Sequence, residues 1–308
     1  MAYNLISMDS KGTILKYDII FLGAAAIWGF AFVAQRMGMR HIGPFTFIAV
    51  RFLLGSAFLL LLVFLSARGK RPFKNDAESR RTSFFLECGA AGVLLFFGAA
   101  LQQHGLVYTT AGKAGFITGL YVIIVPMLGL LWGQRTGTGT WMGAVLAITG
   151  LYLLCIKGRF DIDKGDLLVF LGAFFWAGHV LLIGRISRRF EALKVALFQY
   201  IVCGVLSLIL ATAVETADFG QLSEALIPLL YAGIMSTGIA FTLQVVGQRY
   251  AHPTHASVLM STEAVFAVVG GWLILGETMS VQNLAGCALM LGGMILSQIH
   301  ARKKIKVT

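Results

Sequence analysis

Ten apolar runs follow one another along the 308 residues of the chain, separated by short segments of charged or turn-forming residues. A helix needs about 20 apolar residues to cross about 30 Å of hydrocarbon. Every run except the fifth has that length, and the fifth reaches it with its flanking residues. The runs lie near residues 19–38, 45–65, 84–106, 113–132, 140–156, 166–184, 194–213, 226–247, 254–275 and 281–299. We therefore predict an all-α integral membrane protein with ten transmembrane helices.

The composition fits a membrane protein better than a soluble one. Hydrophobic residues make up 57% of the chain and charged residues 13%, about half the charged fraction of a soluble domain. This excludes a disordered chain and disfavours a soluble enzyme. The net charge of +11 alone would suggest a nucleic-acid partner, but the lysines and arginines lie in the short segments between apolar runs. We expect membrane lipids as partners, and no nucleic acid.

The distribution of lysine and arginine predicts the orientation of the chain. With the N-terminus inside, the cytoplasmic segments hold 18 of the 25 basic residues and the opposite side holds five. The remaining two, Arg36 and Arg51, fall within apolar runs. The first run carries Trp28 late in its length, which fits a retained helix better than a cleaved secretory signal. We expect a multi-pass protein of the cytoplasmic membrane with both termini in the cytoplasm.

The two halves of the sequence repeat each other. Matching residues lie 148 positions apart in the first two runs and 142 apart in the later ones. The pairs are Trp28 with Trp176, Arg51 with Gln199, Gln102 with Gln244, Tyr108 with Tyr250, and Gly150 with Gly292. One longer loop, 66–83 against 214–225, accounts for the change of offset.

Each half holds five runs, and an odd number means that the second copy enters the membrane from the opposite side. We predict two inverted five-helix repeats, residues 1–157 and 158–308, as in carriers that work by alternating access. The alternative is a duplication kept for packing alone.

Short motifs occur along both halves. They are Ala26-Ile27-Trp28-Gly29, Arg51-Phe52-Leu53-Leu54, the segment from Asp166 through Phe175-Trp176, the segment from Gly115 to Gly133, Ser261-Thr262-Glu263-Ala264-Val265-Phe266, and Leu275-Gly276-Glu277. Together they resemble the EamA-type branch of the drug/metabolite transporter superfamily across essentially the whole chain. The first copy departs from the pattern, since Arg135 stands where the repeat partner is Glu277. The resemblance implies a carrier of small organic metabolites whose cavity is lined by the first, third and fourth spans of each copy.

Polar and aromatic residues on those spans are the candidate substrate-binding residues. They are Trp28, Gln102, Gln103, Tyr121, Trp176, His179, Gln244 and Glu263. The three aromatic residues fall near the midplane, where no headgroup layer is available to them, so their rings could line a central cavity. His179 projects from the same helix face as Trp176. Packing is the alternative for the rings, and hydrogen bonding across helices is the alternative for the glutamines.

Glu263 is the sharpest case among the charged residues within the runs, since it lies about 14 Å deep in the ninth. An ionisable group there costs about 2.5 kcal/mol or more, and desolvation disfavours its ionised form. Glu263 is therefore the candidate for carrying a coupling proton or binding a cation; the alternative is a structural glutamate bonded to helix ends. Arg51 is predicted to be an anchor that satisfies carbonyls or pairs with a carboxylate. Glu87 and Arg36, near span ends, are predicted to be structural.

No residue pattern indicates catalysis, a cofactor or a metal site. The chain has no phosphate-binding loop and no hydrolase motif, and its four cysteines stand singly in apolar runs.

We expect a secondary transporter and not an enzyme. It would export a small organic metabolite, such as an amino acid, a related metabolite or a drug-like compound, by alternating access with protons as the coupling ion. The alternatives are an uncoupled facilitator or exchanger and, third, a membrane-embedded enzyme. The sequence leaves a homodimer open.

Overall fold

The computed structural model describes residues 11–66, 78–131, 138–155, 163–251, 253–278 and 280–305. These residues form helices joined by short connections, and none of them lies in a strand. The α-helices are α1 (Lys11–Gly38), α2 (Pro44–Ser66), α3 (Glu78–Tyr108), α4 (Ala111–Gly119), α5 (Tyr121–Leu131), α6 (Thr138–Cys155), α7 (Lys164–Ile186), α8 (Ala192–Val214), α9 (Phe219–Glu224), α10 (Leu226–Leu230), α11 (Thr242–Gln248), α12 (Pro253–Met260), α13 (Glu263–Leu275) and α14 (Val281–Ile305). A π-helical segment, Tyr231–Phe241, joins α10 to α11.

Within the described residues, eight helical segments are long and apolar enough to cross a membrane. They are Lys16–Gly38, Pro44–Leu65, Arg81–Tyr108, Ala111–Leu131, Lys164–Ile186, Ala192–Val214, Leu226–Gln248 and Pro253–Leu275. Large apolar side chains point away from the bundle, as expected where lipid surrounds it; Leu131 and Ile227 are each 79% exposed. The prediction of an all-helical, multi-pass membrane protein is confirmed. The fifth and tenth runs form α6 and α14, which pack along each other, and their crossing of the membrane stays a prediction.

The fourth and ninth spans are each built from two half-helices. In the fourth span the interruption falls at Leu120, between α4 and α5. Pro126 lies inside α5, beyond the interruption. In the ninth span α12 ends at Met260, and the hydroxyls of Ser261 and Thr262 each donate to a backbone carbonyl in the preceding turn, both at 2.7 Å. Such bonds compete with the regular helical ladder and help to end α12.

The eighth span changes its helical pitch in the middle. The π-helical segment Tyr231–Phe241 has a wider turn than the α-helices on either side of it. The Thr237 hydroxyl donates to the carbonyl of Ala232, five residues earlier, at 2.9 Å. Helices of this kind are rare and often occur at functional sites. Nothing in the sequence analysis predicted this segment.

The helices of the two halves pack directly against each other. Helix α3 lies along α7, α2 along α8, and α1 against α13, while α4 contacts both α7 and α13. At the contact of α1 with α13, a Cβ atom on Gly29 would lie 2.7 Å from the carbonyl oxygen of Glu263. On α4, a Cβ on Gly115 would lie 2.6 Å from the Cβ of Ala267. These two glycines therefore permit close approach of backbones, as expected for small residues at membrane helix contacts.

A carboxylate that follows α8 also caps a helix of the other half. Glu215 accepts hydrogen bonds from the backbone amides of Phe45 and Thr46, both at 2.8 Å, and from the Thr46 hydroxyl at 2.7 Å. Backbone N–H groups at the start of a helix have no partner within it, and a negative charge there also opposes the helix dipole. The start of α2 is therefore fixed to the end of α8.

Candidate functional site

A cavity lies among helices of both halves. Its lining comprises Trp28, Ala31, Phe32, Gln35, Arg51, Gln102, Thr118, Tyr121, Trp176, Val180, Ser236, Phe241, Gln244, Met260 and Glu263. The first, second, third, fourth, sixth, eighth and ninth spans all contribute to it. The interruptions of the fourth and ninth spans lie directly at this cavity, because Tyr121 is the first residue of α5 and Glu263 the first of α13.

Six of the eight candidate residues line this cavity. They are Trp28, Gln102, Tyr121, Trp176, Gln244 and Glu263. The other two are fully buried beside it. The Gln103 amide has no hydrogen-bond partner among the described residues, and His179 lies 2.7 Å from the side-chain oxygen of Gln199 through its Nε2 atom. Binding of a substrate by any of the eight stays a prediction.

Three aromatic rings form one wall of the cavity. The ring of Phe241 lies between two indoles: its centroid is 4.7 Å from that of Trp28 and 5.8 Å from that of Trp176. Phe241 is the last residue of the π-helical segment. His179 stands edge-on behind this wall, with ring centroids 6.1 Å from Trp176 and 6.4 Å from Phe241. Sequence analysis missed Phe241, since a phenylalanine in an apolar run carries no distinguishing signal.

Glu263 lies close to Tyr121 across the cavity. The carboxyl group of Glu263 is near the phenol hydroxyl of Tyr121, but the hydroxyl forms no hydrogen bond with it in this structure. The two residues are 5% and 4% exposed. They are separated by 142 positions, the same offset that relates Gln102 to Gln244. Corresponding positions in the two halves therefore meet at this point.

Arg51 is fully buried and also lines the cavity, with 2% of its surface exposed. Its guanidinium carbon lies 4.8 Å from the centroid of the neighbouring Phe52 ring. Among the residues that the structure describes, Arg51 makes no hydrogen bond and no ion pair, and its Nε atom is buried without a partner. The expected bond to a carbonyl or a carboxylate is therefore not present in this part of the chain.

Buried polar atoms without a protein partner are concentrated on the cavity lining. They are Trp28 Nε1, Arg51 Nε, Thr118 Oγ1, Tyr121 Oη, Trp176 Nε1 and Gln244 Oε1. Burying such a group without a hydrogen bond costs about 1–3 kcal/mol, and most buried polar atoms in proteins are paired. Five of these six atoms can donate a hydrogen bond. Residues of the cavity lining therefore carry more unpaired donor atoms than unpaired acceptor atoms.

Three further polar residues of the lining were missed by sequence analysis. Gln35 accepts a hydrogen bond from Gln102 at 3.4 Å and donates one to the carbonyl of Ala31 at 3.0 Å. Thr118 and Ser236 are 3% and 1% exposed. Small hydroxyl residues are common in membrane helices, and only the packing shows which of them face a cavity.

A layer of charged and polar side chains connects the helices at one end of the bundle. We call Arg36, Thr109, Lys113, Asp166 and Glu277 the polar layer. Lys113 pairs with Asp166, which also accepts a hydrogen bond from the Thr109 hydroxyl at 2.9 Å. Arg36 donates to the Thr109 carbonyl and lies 3.7 Å from Glu277. The layer thus joins the ends of α1, α3, α4 and α7 to the residue that follows α13.

Ion pairs also join helices at the opposite end. Arg189 pairs with Glu87, and His255 lies 2.7 Å from Asp18. The side chain of Arg189 is 45% exposed, whereas in the polar layer Asp166 is 3% and Lys113 11% exposed. The predicted structural role of Glu87 agrees with its pairing, and the polar layer is the more buried of the two sets.

A bundle of membrane-spanning helices around a cavity, with interrupted helices at that cavity, is the architecture of a membrane carrier. A family model confirms this class: the chain belongs to the EamA-like transporter family, which matches residues 15–156 and 163–298. The family is part of the drug/metabolite transporter superfamily, so the resemblance inferred from the motifs is confirmed.

Individual relatives agree with the family. An uncharacterized transporter of Archaeoglobus fulgidus is 29% identical over 287 residues, covering 93% of this chain and 87% of the relative. The uncharacterized transporter YoaV of Bacillus subtilis is 22% identical over 302 residues, covering 94% of this chain and all of the relative. A protein of known crystal structure shares the fold, with a TM-score of 0.72 and 21% identity over 94% of this chain and 98% of its own.

Proposed function

We propose that the protein is a secondary transporter that moves a small organic metabolite out of the cell by alternating access. The observation that carries the proposal is the set of buried, unpaired polar atoms on one cavity formed by both halves. Each of those atoms lowers the stability of the fold unless a ligand bonds to it. Proteins keep such costly groups where function requires them.

The lining of the cavity supports an architecture of two inverted five-helix repeats, residues 1–157 and 158–308, with ten transmembrane helices. Ten of its fifteen lining residues form pairs at the two repeat offsets. The pairs are Trp28 with Trp176, Phe32 with Val180, Gln102 with Gln244, Thr118 with Met260, and Tyr121 with Glu263. Helix contacts agree: α1 packs on α13 as α7 packs on α5. Such halves can exchange conformations and open a shared site to either side in turn.

The polar layer is the contact that closes one entrance to the cavity in this scheme. The excess of lysine and arginine in alternate loops supports a cytoplasmic location for both termini, and hence a polar layer on the outer side of the cytoplasmic membrane. The layer joins elements of both halves, so exposing the cavity to the outside requires its ion pairs to separate. Separating these ion pairs costs little free energy, because water solvates the charges as the entrance opens. The contact can therefore open and close reversibly.

Glu263 is the residue that would couple transport to protons. It is buried at the cavity beside Tyr121 and has no charged partner among the described residues. A carboxyl group in this position can hold a proton in one conformation and release it in the other. An uncoupled facilitator would use the same cavity without this step.

Transport of a cavity-binding compound into sealed vesicles tests the proposal. A metabolite library is first screened for compounds that raise the melting temperature of the purified protein, since ligands stabilise the state they bind. Vesicles holding the protein then receive such a compound with and without an imposed proton gradient. We expect accumulation against the compound's gradient by the wild type and only equilibration by Glu263→Gln, with the exposed Glu224→Gln as the control. Equilibration by the wild type would indicate a facilitator, and flux no faster than in empty vesicles would contradict transport.

A further inference from the structure

We propose that the substrate is an organic monocarboxylate, whose carboxylate binds Arg51 and whose apolar or aromatic body packs against the wall of Trp28, Trp176 and Phe241. This inference depends on the proposed function, because it takes the cavity as the substrate site. It assigns to Arg51 a role that differs from the structural anchor expected from the sequence.

Arg51 is a buried cation without a bonded partner among the described residues. Its side chain is among the largest fully buried ones in the protein and lines the cavity, yet it forms no ion pair or hydrogen bond with the described residues. A buried charge without a partner is strongly unfavourable, and a charge inside a membrane-spanning helix is rare and usually functional. A structural anchor would show the bonds that it satisfies. Arg51 instead lies on the cavity lining, and the planar donor set of a guanidinium matches the geometry of a carboxylate.

Most of the other unpaired atoms on the lining residues are hydrogen-bond donors. The indole nitrogens of Trp28 and Trp176 can only donate hydrogen bonds, and the hydroxyls of Thr118 and Tyr121 can donate as well. A ligand that satisfies this set must supply acceptors. The oxygens of a carboxylate are the strongest acceptors that a small metabolite of single negative charge can offer.

The charged residues of the lining limit the charge of the ligand. Arg51 is the single cationic side chain among the lining residues, and Glu263 is an acidic one. A dianion such as a phosphate monoester would place its second charge in a buried site without a second cation and near a carboxyl group. One carboxylate matches one guanidinium, and the aromatic wall contributes apolar area for the remainder of the molecule.

Binding of matched compounds to the full-length protein in detergent tests the inference. The probes are organic monocarboxylates with aromatic and aliphatic bodies, including 3-phenylpropanoate and phenylalanine, each compared with its uncharged primary amide. We expect carboxylates to raise the melting temperature and their amides not to. In Arg51→Gln we expect at least about thirtyfold weaker binding of the carboxylates, as for loss of one partner of a buried charge pair.

Two variants separate substrate binding from folding. Glutamine occupies the corresponding position of the other half, Gln199, so Arg51→Gln should fold with an unchanged or higher melting temperature without ligand, because an unpaired charge has been removed. Arg51→Lys keeps the charge and should retain weaker binding. Arg81→Gln changes an exposed arginine near a span end and should bind as the wild type does.

The possible outcomes are distinct. A lower melting temperature of ligand-free Arg51→Gln together with unchanged carboxylate affinity would show a structural anchor and overturn the inference. The inference would also be overturned if carboxylates and their amides raised the melting temperature equally. It would be overturned, too, if no carboxylate in the panel raised the melting temperature while other library compounds did. Neither of these two binding results would contradict the proposal that the protein is a transporter. That proposal fails only if no compound that binds the protein is transported.

Discussion

The carboxylate of Glu277 accepts a hydrogen bond from the backbone N–H of Ala111, with 2.8 Å between oxygen and nitrogen. A second bond, from the N–H of Gly112, measures 3.2 Å. Glu277 follows the last helix of the ninth span, whereas Ala111 begins α4 of the other half. This contact caps a helix across the two halves and connects it to Arg36 of the polar layer.

Replacing Glu277 by alanine should destabilise the fold by about 1–2 kcal/mol, the usual cost of losing a helix cap. The change removes both bonds to the first turn of α4 and the negative charge that opposes its dipole. Thermal unfolding in detergent measures the effect. Glu191→Ala is the control, because that side chain is 56% exposed and its pair with Lys194 is on the surface; equal melting temperatures of the two variants would show that the cap contributes nothing.

Lys113 and Asp166 should behave as an energetically coupled pair. Lys113→Ala leaves Asp166 without its cation, and Asp166→Ala leaves Lys113 with only Asp163, 3.8 Å away. The double variant removes both charges of the pair. A double-mutant cycle of unfolding free energies should therefore show a coupling of at least about 0.5–1 kcal/mol. Additive single effects would mean that the pair does not hold α4 and α7 together. The same cycle on Lys194 and Glu191, a more exposed pair at 29% and 56%, should give a smaller coupling.

Gly29→Ala should destabilise the protein by about 1–3 kcal/mol, as in overpacked cores. The new methyl group would lie 2.7 Å from the Glu263 carbonyl oxygen and 2.8 Å from the Ala267 nitrogen, so α1 and α13 must separate. Gly23→Ala on the same helix is the matched control, since a Cβ there meets no atom within 4 Å. That change should be neutral or stabilising, because alanine favours the helix. Equal losses at both positions would contradict the close approach.

Two adjacent glutamines should respond in opposite ways. Gln102 lines the cavity, so Gln102→Leu should weaken binding of a stabilising compound about tenfold through loss of a hydrogen bond. Gln103 lies outside the lining with both amide atoms unpaired, so Gln103→Leu should leave affinity unchanged and stabilise the fold by about 1 kcal/mol. Titrations and unfolding measurements on both variants test this. If Gln103→Leu bound the compound more weakly and Gln102→Leu did not, the compound would bind outside this cavity.

The sequence predicted the helical spans well, because lipid requires long apolar runs and charged residues mark their ends. It also predicted six residues of the cavity. Polar and aromatic residues are unusual in the middle of a membrane-spanning run, and several of them occur in pairs at the repeat offsets. It could not predict the π-helical segment that brings Phe241 to the cavity, because a change of helical pitch depends on packing. The same limit applies to His179 and Gln103: the sequence places them next to cavity residues, but the direction of a side chain depends on small helix rotations.

The unpaired state of Arg51 also required the structure. Sequence position indicates that an arginine lies within a span, but an anchor and a binding group differ only in the atoms around the guanidinium. The interruption at Leu120, ahead of Pro126, likewise depends on packing against the other half. Arg135, which differs from its repeat partner Glu277, lies outside the described residues.

The central claim is that transported molecules pass through this cavity, and narrowing it tests that claim most directly. Ser236 lines the cavity and is 1% exposed, whereas the preceding residue, Met235, is 37% exposed at the surface of the bundle. Flux of a cavity-binding compound is measured in vesicles containing the wild type, Ser236→Phe or Met235→Phe, after folding of each is checked by thermal unfolding. We predict flux for the wild type and Met235→Phe, and at least a tenfold loss for folded Ser236→Phe. Wild-type flux through folded Ser236→Phe would contradict the account.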